Sequence, residues 1–414
     1  MLRILFASIL CAAVVAAVSS SSPVFATSTS VDCSAYSLSL RICGDSTPFT
    51  QTIGSPGCSP SRPHGSGTSA ETITTGDGQR SYRLHVPPSY TGSNAVPLLF
   101  NVHGATSNAT AQEVYSGFSA KADVEGFIVV YPEGVITAAI PYTHFNAWMF
   151  GSPEPNDVGF IDTLLDSLEL QLCIDTSRVF STGISNGAML SVRLACSLSN
   201  RIAAIAPVAG AYYAPDFVNV PTEVCPGTTA VPVIAFHGTA DTIVPFNGGL
   251  GGVSGTTNFR LPVDNNTVAE DVMADWSAHN RCTSGRQESQ VDTEIRLIRY
   301  DSCARGATVE LYAVDGGGHT WPGSFDVPHL GYTTRQISAT DLMWAFFSAH
   351  PLIPASVGGT SEPPAVAGIP STTASFGGDS PAHALGGAAM AAIGASGWYA
   401  RRKRRRCRAH TTHR

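Results

Sequence analysis

From residue 81 to residue 350 the chain alternates short, continuous apolar runs with longer stretches whose apolar residues recur at helical spacing. Continuous apolar runs are typical of parallel strands that are buried on both faces, and their alternation with helices indicates a parallel sheet. The pattern therefore predicts an α/β fold with a mostly parallel, doubly wound sheet and helices on both faces. The predicted strands are residues 82–86, 97–102, 127–131, 178–182, 203–208, 232–237 and 309–314, and the predicted helices are residues 160–173, 186–198, 268–279 and 339–350.

The region before this alternation has a different composition. Arg3 precedes an apolar run, and small residues up to Ala26 are typical of a cleavage site, so residues 1–26 predict a secretory signal peptide, with a membrane anchor as the alternative. Residues 27–75 are rich in Ser, Thr, Gly, Pro and Cys, and they predict an N-terminal extension that either packs on the body or forms a loose lead-in. The main folded domain is then expected over residues 76–354.

The C-terminal region departs from the domain as well. Residues 355–383 are rich in Gly, Ser, Thr and Pro, which predicts a linker. Residues 384–414 combine an apolar segment with a basic tail, and two interpretations remain open. The segment is either a membrane tether followed by a cytoplasmic basic cluster or a tail without membrane relevance.

Charge is distributed unevenly along the chain. The net charge is −7, but the last fourteen residues hold eight Lys or Arg, so the rest has 16 basic residues against 31 acidic ones, about −15. An acidic body argues against a nucleic-acid partner, because neutralisation of phosphates needs clustered Lys and Arg.

Cysteine usage agrees with export. Eight of the ten cysteines lie between the predicted signal peptide and the basic tail, and an even number in an exported chain predicts disulfides. One pair is predicted, Cys282 with Cys303, which bracket a polar segment and a strand at residues 294–300. The cysteines form no C-x-x-C pair and stand beside no histidine at ligand spacing, so no metal site is expected. Asn108 and Asn265 begin glycosylation sequons.

The motif Gly183-Ile-Ser185-Asn-Gly187 stands between a predicted strand and a predicted helix. In that context a serine occupies a sharp turn, and its neighbours must lack side chains so that strand and helix can approach each other. Ser185 is therefore the predicted nucleophile. The alternative is a simple tight turn.

Two further residues provide what a serine nucleophile needs. Asp241 follows one predicted strand, and His319 follows three glycines after another, in the order Ser, Asp, His that this class of hydrolase uses. His319 is the predicted general base and Asp241 the acid that orients it. The alternatives are an aspartate that caps a turn and a histidine in a surface loop. His237 is interpreted as a buried, hydrogen-bonded histidine.

Acyl transfer also needs backbone N–H donors for the negatively charged oxygen. Asn186 follows the nucleophile directly and supplies one of them. The loop after an early strand is expected to supply the second, and there the His-Gly pair at residues 103–104 makes Ala105 the predicted donor.

In these motifs the chain resembles the extracellular esterase family that contains feruloyl esterases of carbohydrate esterase family one and the related polyhydroxybutyrate depolymerase-type esterases. The resemblance covers roughly residues 81–350 and implies an α/β-hydrolase fold. It also implies hydrolysis of esters on plant cell-wall polysaccharide, or of polyester oligomers, without a metal or organic cofactor. The matching segments are residues 103–108, 129–134, 183–187, 201–210, 237–241, 244–246 and 317–322.

The segment from residue 201 to Tyr213 looks closest to the feruloyl esterase branch, so a feruloyl esterase is the first expectation. An acetylxylan esterase or a polyhydroxybutyrate depolymerase-type esterase is the alternative, and a catalytically inactive wall-binding module is an alternative of another class. Four aromatic residues near the predicted crevice are expected to line the substrate, although for Trp148 a place in the core is an equal alternative. They are Trp148, Tyr212, Phe246 and Trp321.

Overall fold

The apolar runs of the sequence form the strands of one sheet in a computed structural model, which describes residues 53–138, 140–147, 155–211, 225, 228–248 and 268–353. Several predictions fall outside these residues. They are the signal peptide at 1–26, the linker at 355–383, the segment 384–414, the aromatic residues Trp148 and Tyr212, and the sequon at Asn265.

Every predicted strand and helix is present. The strands are β1 Gly67–Thr75, β2 Gly78–Val86, β3 Val96–Val102, β4 Ile128–Pro132, β5 Ile174–Ile184, β6 Ala204–Val208, β7 Val233–Gly238, β8 Gln287–Asp292, β9 Ile295–Tyr300 and β10 Val309–Val314. The helices are α1 Ala109–Ser116, α2 Phe118–Glu125, α3 Asp157–Gln171, α4 Asn186–Ser197, α5 Ala269–His279 and α6 Ala339–Ala349.

The strands follow the order β1-β2-β4-β3-β5-β6-β7-β10-β9-β8. Six neighbouring strands in this order are parallel to one another, namely β4, β3, β5, β6, β7 and β10. Antiparallel pairs extend the sheet at both edges, with β1 and β2 at one edge and β9 and β8 at the other. The predicted mostly parallel α/β sheet is therefore confirmed. Because the central strands are parallel, the loops after β3, β5, β7 and β10 all leave the sheet at the carboxyl ends of the strands.

Two apolar cores lie on opposite faces of this sheet. Along β3, Leu98 and Phe100 belong to one core and Leu99 to the other, because successive side chains of a strand point to opposite faces. Helices α3, α4 and α5 contribute to the first core, and α2 and α6 to the second. Each fully buried Phe or Leu stabilises the fold by about 1.5–3 kcal/mol relative to an exposed position. Both faces are covered, as a doubly wound sheet requires.

The segment before residue 76 is part of the folded body as far as it is described. Strand β1 pairs with β2 along its whole length, and the N–H of Ser55 donates to the carbonyl of Ile174 at 2.8 Å. The expected domain boundary at residue 76 therefore falls in the turn between β1 and β2. Of the two alternatives for the N-terminal extension, packing on the body describes residues 53–75.

Candidate active site

Ser185 occupies the sharp turn between β5 and α4. Its φ of 57° and ψ of −122° lie in a region that residues other than glycine rarely adopt. Its N–H donates to the carbonyl of Val208 at 2.9 Å, which ties the turn to β6. A Cβ added to Gly187 would lie 2.2 Å from the carbonyl oxygen of Val102, so only glycine lets the turn approach β3. The turn thus has the crowding that the glycines of the motif indicate.

Asp241 and His319 meet at the carboxyl ends of the strands, Asp241 after β7 and His319 after β10. The Nδ1 of His319 lies 2.7 Å from Oδ2 of Asp241, and both residues are buried. A carboxylate only accepts hydrogen bonds, so Nδ1 carries the proton and donates it. In the neutral imidazole, Nε2 then has the free electron pair.

The carboxylate of Asp241 receives hydrogen bonds on both oxygens. Its Oδ1 accepts the N–H groups of Ile243 and Val244 at 2.8 and 2.9 Å. Its Oδ2 accepts His319 and lies 3.3 Å from Nε2 of His237. Burial alone would raise the pKa of this carboxyl. The attraction of His319 and the hydrogen bonds from both histidines outweigh burial and hold the pKa well below its usual range.

The third expected link is absent from the described residues, since no hydrogen bond joins Oγ of Ser185 to His319 there. Ser185 nevertheless lies at the carboxyl ends of the strands as well, because β5, β6, β7 and β10 are consecutive parallel strands. In substrate-free sites such bonds are often long and tighten only in the complex with substrate.

The loop after β3 runs beside Ser185. A Cβ added to Gly104, the residue before Ala105, would lie 3.4 Å from Cβ of Ser185. His103 fixes this loop, because its Nε2 accepts the N–H of Gly134 at 2.9 Å and its Nδ1 donates to the carbonyl of Gly104 at 2.7 Å. Within the described ranges, the N–H of Ala105 donates no hydrogen bond to another residue.

Asn186 contributes its side chain as well as its backbone. Its Oδ1 accepts the N–H of Phe145 at 2.7 Å, and its Nδ2 donates to the carbonyl of Phe145 at 3.0 Å. Asp157 holds the next residue of that loop by accepting the N–H of Asn146 at 2.6 Å, and it pairs with Arg80 at 2.7 Å. The sequence could not show these roles, because a helix-capping position explains Asp157 equally well. In the structure Asn156 is the residue that caps α3.

Two of the aromatic residues expected to line the substrate are buried in the structure. Phe246 is 4% exposed and packs edge-on against His237, and Trp321 is 1% exposed and packs edge-on against Phe118. Ser185, Asp241 and His319 are buried to a similar degree, so both rings stay candidates for the substrate-binding role. Trp321 borders a groove of about 570 Å³, which none of Ser185, Asp241 and His319 lines.

Three disulfides join the described cysteines. The predicted pair, Cys282 with Cys303, is among them. The other two, Cys58–Cys173 and Cys196–Cys225, connect residues far apart in sequence, so spacing alone did not identify them.

Asn108, the first residue of a sequon, is exposed and caps α1 by accepting the N–H of Ala111 at 2.9 Å. The described residues include no cluster of three metal-ligating side chains. They also include no helix with the length and hydropathy of a membrane span.

Comparisons with known proteins match the chain to esterases. A family model described as phospholipase/carboxylesterase matches residues 156–268. The NocK protein of Nocardia uniformis subsp. tsuyamanensis, which is named as an esterase, is 31% identical over 296 residues, covering 66% of this chain and 80% of that protein. Feruloyl esterase B of Piromyces equi is 30% identical over 248 residues, or 58% of this chain and 42% of that protein. A bifunctional acetylxylan esterase/xylanase of Neocallimastix patriciarum is 26% identical over 248 residues, or 60% and 32%.

The chain spans less than half the length of the last two relatives, but most of the first. The family model covers the segment that contains both Ser185 and Asp241. Together with the sheet topology, these matches show that the chain belongs to the feruloyl esterase-like family of α/β-hydrolases and is a carboxylic ester hydrolase.

Proposed function

We propose that this chain is an exported serine esterase that releases hydroxycinnamic acids from ester-substituted plant cell-wall polysaccharide. The observation that carries the proposal is the buried hydrogen bond of 2.7 Å between His319 and Asp241. It lies at the carboxyl ends of the parallel strands, where the strained turn of Ser185 also lies. An imidazole oriented in this way presents Nε2 as a base to a neighbouring hydroxyl.

In the proposed mechanism, Oγ of Ser185 attacks the ester carbonyl carbon while Nε2 of His319 takes the hydroxyl proton. The same proton then goes to the leaving alcohol as the bond from carbon to alcohol oxygen breaks, which leaves an acyl group on Ser185. Water repeats the sequence and releases the free acid. Asp241 keeps the imidazole in one tautomer and stabilises its positive charge.

The carbonyl oxygen becomes negative during both attacks, and the backbone N–H groups of Ala105 and Asn186 are the proposed donors to it. Ala105 is suited to this role because its loop is fixed by His103 and lies beside Ser185. Asn186 is the first residue of α4, where N–H groups have no partner within the helix.

The identity of the acyl group rests on the relatives. The name of Feruloyl esterase B favours a hydroxycinnamoyl group, and the name of the acetylxylan esterase/xylanase makes acetyl the second candidate. Trp148, Tyr212, Phe246 and Trp321 are the proposed aromatic contacts for a flat acyl group.

Export is supported by the three disulfides, since such bonds persist mainly in oxidising compartments. For the C-terminal segment 384–414 both interpretations, a cell-surface tether and a tail without membrane relevance, remain proposals.

The first test is release of p-nitrophenol from a short-chain ester by the wild type and by Ser185→Ala. The wild type is expected to turn over, and the variant to lose several orders of magnitude in kcat with a modest change in KM, because the nucleophile is absent. Equal rates for the two proteins would contradict the proposed nucleophile. An inactive wild type would favour the wall-binding module.

The second test compares kcat/KM for methyl ferulate, ethyl acetate, acetylated xylan and hydroxybutyrate oligomers, because this ratio expresses discrimination. A higher value for methyl ferulate is expected. A preference for acetyl esters would assign the chain to the acetyl esterases, and a preference for hydroxybutyrate oligomers to the polyester hydrolases.

A further inference from the structure

We propose that His237 is a positioning residue that holds the carboxylate of Asp241 in the orientation needed by His319. His237 is the next-to-last residue of β7, four residues before Asp241, and it is 2% exposed. The inference rests on the proposed triad. It adds a second histidine, which contacts the carboxylate on the oxygen that His319 also uses.

The contacts of His237 define its protonation pattern. Its Nε2 lies 2.8 Å from the carbonyl oxygen of Val244 and 3.3 Å from Oδ2 of Asp241. Both oxygens are acceptors only, so Nε2 carries a proton and donates it, chiefly to Val244 and secondarily to Asp241. The imidazole is thus a donor toward the triad and not a base within it.

These contacts close a ring of three residues. Val244 accepts the hydrogen bond of His237 through its carbonyl and donates its own N–H to Oδ1 of Asp241 at 2.9 Å. His237 therefore acts on both oxygens of Asp241, directly on Oδ2 and through Val244 on Oδ1. The rings of Phe246 and His237 pack edge to face, with their centroids 5.5 Å apart. This packing limits rotation of the imidazole.

Burial explains why the contact affects function. Polar groups surround both oxygens of this carboxylate: two N–H groups donate to Oδ1, His319 donates to Oδ2, and Nε2 of His237 lies 3.3 Å from Oδ2. The side chain of Asp241 is 0% exposed, so water does not replace a lost donor. Without His237, Oδ2 is held by His319 alone, and the carboxylate and imidazole can turn together away from Ser185.

The test replaces His237 by residues that separate shape from hydrogen bonding. His237→Phe keeps a ring but removes the donor, and kcat is expected to fall roughly 10- to 100-fold, the effect of one hydrogen bond to a charged group. KM is expected to stay within about twofold of the wild type, since uniform loss of substrate binding is what raises KM alone.

Two amide variants form a matched pair. The amide nitrogen of Gln reaches the position of Nε2, whereas that of Asn reaches the position of Nδ1. The kcat of His237→Gln is therefore expected to be at least about fivefold higher than the kcat of His237→Asn. A difference of this size is within the range of one recovered hydrogen bond. This pair also carries the comparison if His237→Phe does not fold.

A control comes from another buried strand histidine beside an aspartate. His85 on β2 is 5% exposed, and its Nε2 lies 2.9 Å from Oδ1 of Asp123. His85→Phe is expected to lower the free energy of unfolding without changing kcat. Loss of kcat in both histidine variants would show a general effect of disturbing the sheet and would overturn the inference.

A double-mutant cycle separates positioning from folding. In the Asp241→Asn background, His237→Phe is expected to change kcat by less than about threefold, because the carboxylate through which it acts is gone. Equal losses in the two backgrounds would assign His237 a purely structural role, and unchanged kcat in His237→Phe would also overturn the inference. The proposed function fails separately, by activity of Ser185→Ala.

Discussion

At the scale of single residues, Asp241 has a charged side chain that is fully buried. A buried carboxylate is tolerated only where donors compensate for the lost water, and here His319, His237 and two backbone N–H groups do so. The balance of these effects holds the pKa of Asp241 well below the ordinary value. The same contacts that orient the imidazole therefore also stabilise the folded state.

This pKa makes stability depend on pH in a definite direction. Because the folded pKa is below the unfolded value, ionised Asp241 stabilises the fold above a pH of about 4, and this contribution is lost as the pH falls further. We expect the difference in free energy of unfolding between the wild type and Asp241→Asn to be largest near neutral pH and to shrink between about pH 5 and pH 3. Urea unfolding across that range measures it.

Asp326→Asn serves as the control, because that side chain is 68% exposed and its removal changes no buried contact of the site. A difference for Asp241→Asn that stays constant with pH would show that its loss acts through packing alone.

At the scale of elements, the N-terminal segment is joined to the strand that carries Ser185. The disulfide Cys58–Cys173 closes a loop of 115 residues, and Oγ of Ser55 donates to the carbonyl of Leu172 at 2.7 Å while accepting the N–H of Ile174 at 3.0 Å. These contacts lie at the start of β5, at the opposite end of that strand from Ser185. They are therefore expected to support stability and not chemistry.

Replacing Cys58 and Cys173 together by Ala is expected to lower the free energy of unfolding by roughly 5 kcal/mol, since a cross-link stabilises more when it closes a longer loop. The corresponding change at Cys282 and Cys303, which close 21 residues, is expected to cost roughly 3 kcal/mol. Urea unfolding ranks the two, and kcat of the folded protein should be unchanged by the first. A larger loss for the shorter loop would contradict the expected order.

The elements that the sequence did not reveal share a physical reason. Strand β1 is mostly exposed and polar at the edge of the sheet, and α1 and α2 have only eight residues each, too few for a clear apolar periodicity. The buried strands and longer helices were predictable, because their apolar runs reflect the core directly. The contact of Trp321 with Phe118, about 200 residues earlier, shows the same limit, because a local pattern does not contain it.

At the scale of the whole molecule, the groups of the proposed reaction come from loops far apart in sequence. Ala105, Ser185, Asp241 and His319 follow the carboxyl ends of β3, β5, β7 and β10, which belong to one run of parallel strands interrupted only by β6. The order of these residues was readable from the motifs, whereas the contact of His237 with Asp241 required the geometry of a loop. All of these groups precede α6, and the second core includes Met343, Phe346 and Phe347 of that helix.

The position of α6 leads to an expectation for the C-terminal region. A chain that ends at Pro354 keeps α6, and therefore the packing of Phe347 against Phe180 of β5, with ring centroids 4.7 Å apart. It also loses the eight basic residues of the tail, which makes it more acidic than the full chain. We expect this shortened protein to be soluble, with kcat and KM within about twofold of the full chain, because no group of the proposed mechanism is removed. A second shortened chain that ends before α6, at residue 337, provides the matched comparison. It removes four buried side chains, of which Met343, Phe346 and Phe347 contribute about 1.5–3 kcal/mol each, and is expected to be unfolded. Circular dichroism and ester hydrolysis on the two shortened proteins decide the point. Loss of folding in the longer one would mean that residues after 354 stabilise the domain.

Membrane fractionation of the full chain and of the chain that ends at Pro354 tests the proposed tether. Recovery of the full chain with membranes and of the shortened chain in the supernatant supports the tether, because only the full chain keeps the apolar segment and its basic tail. Recovery of both proteins in the supernatant contradicts it.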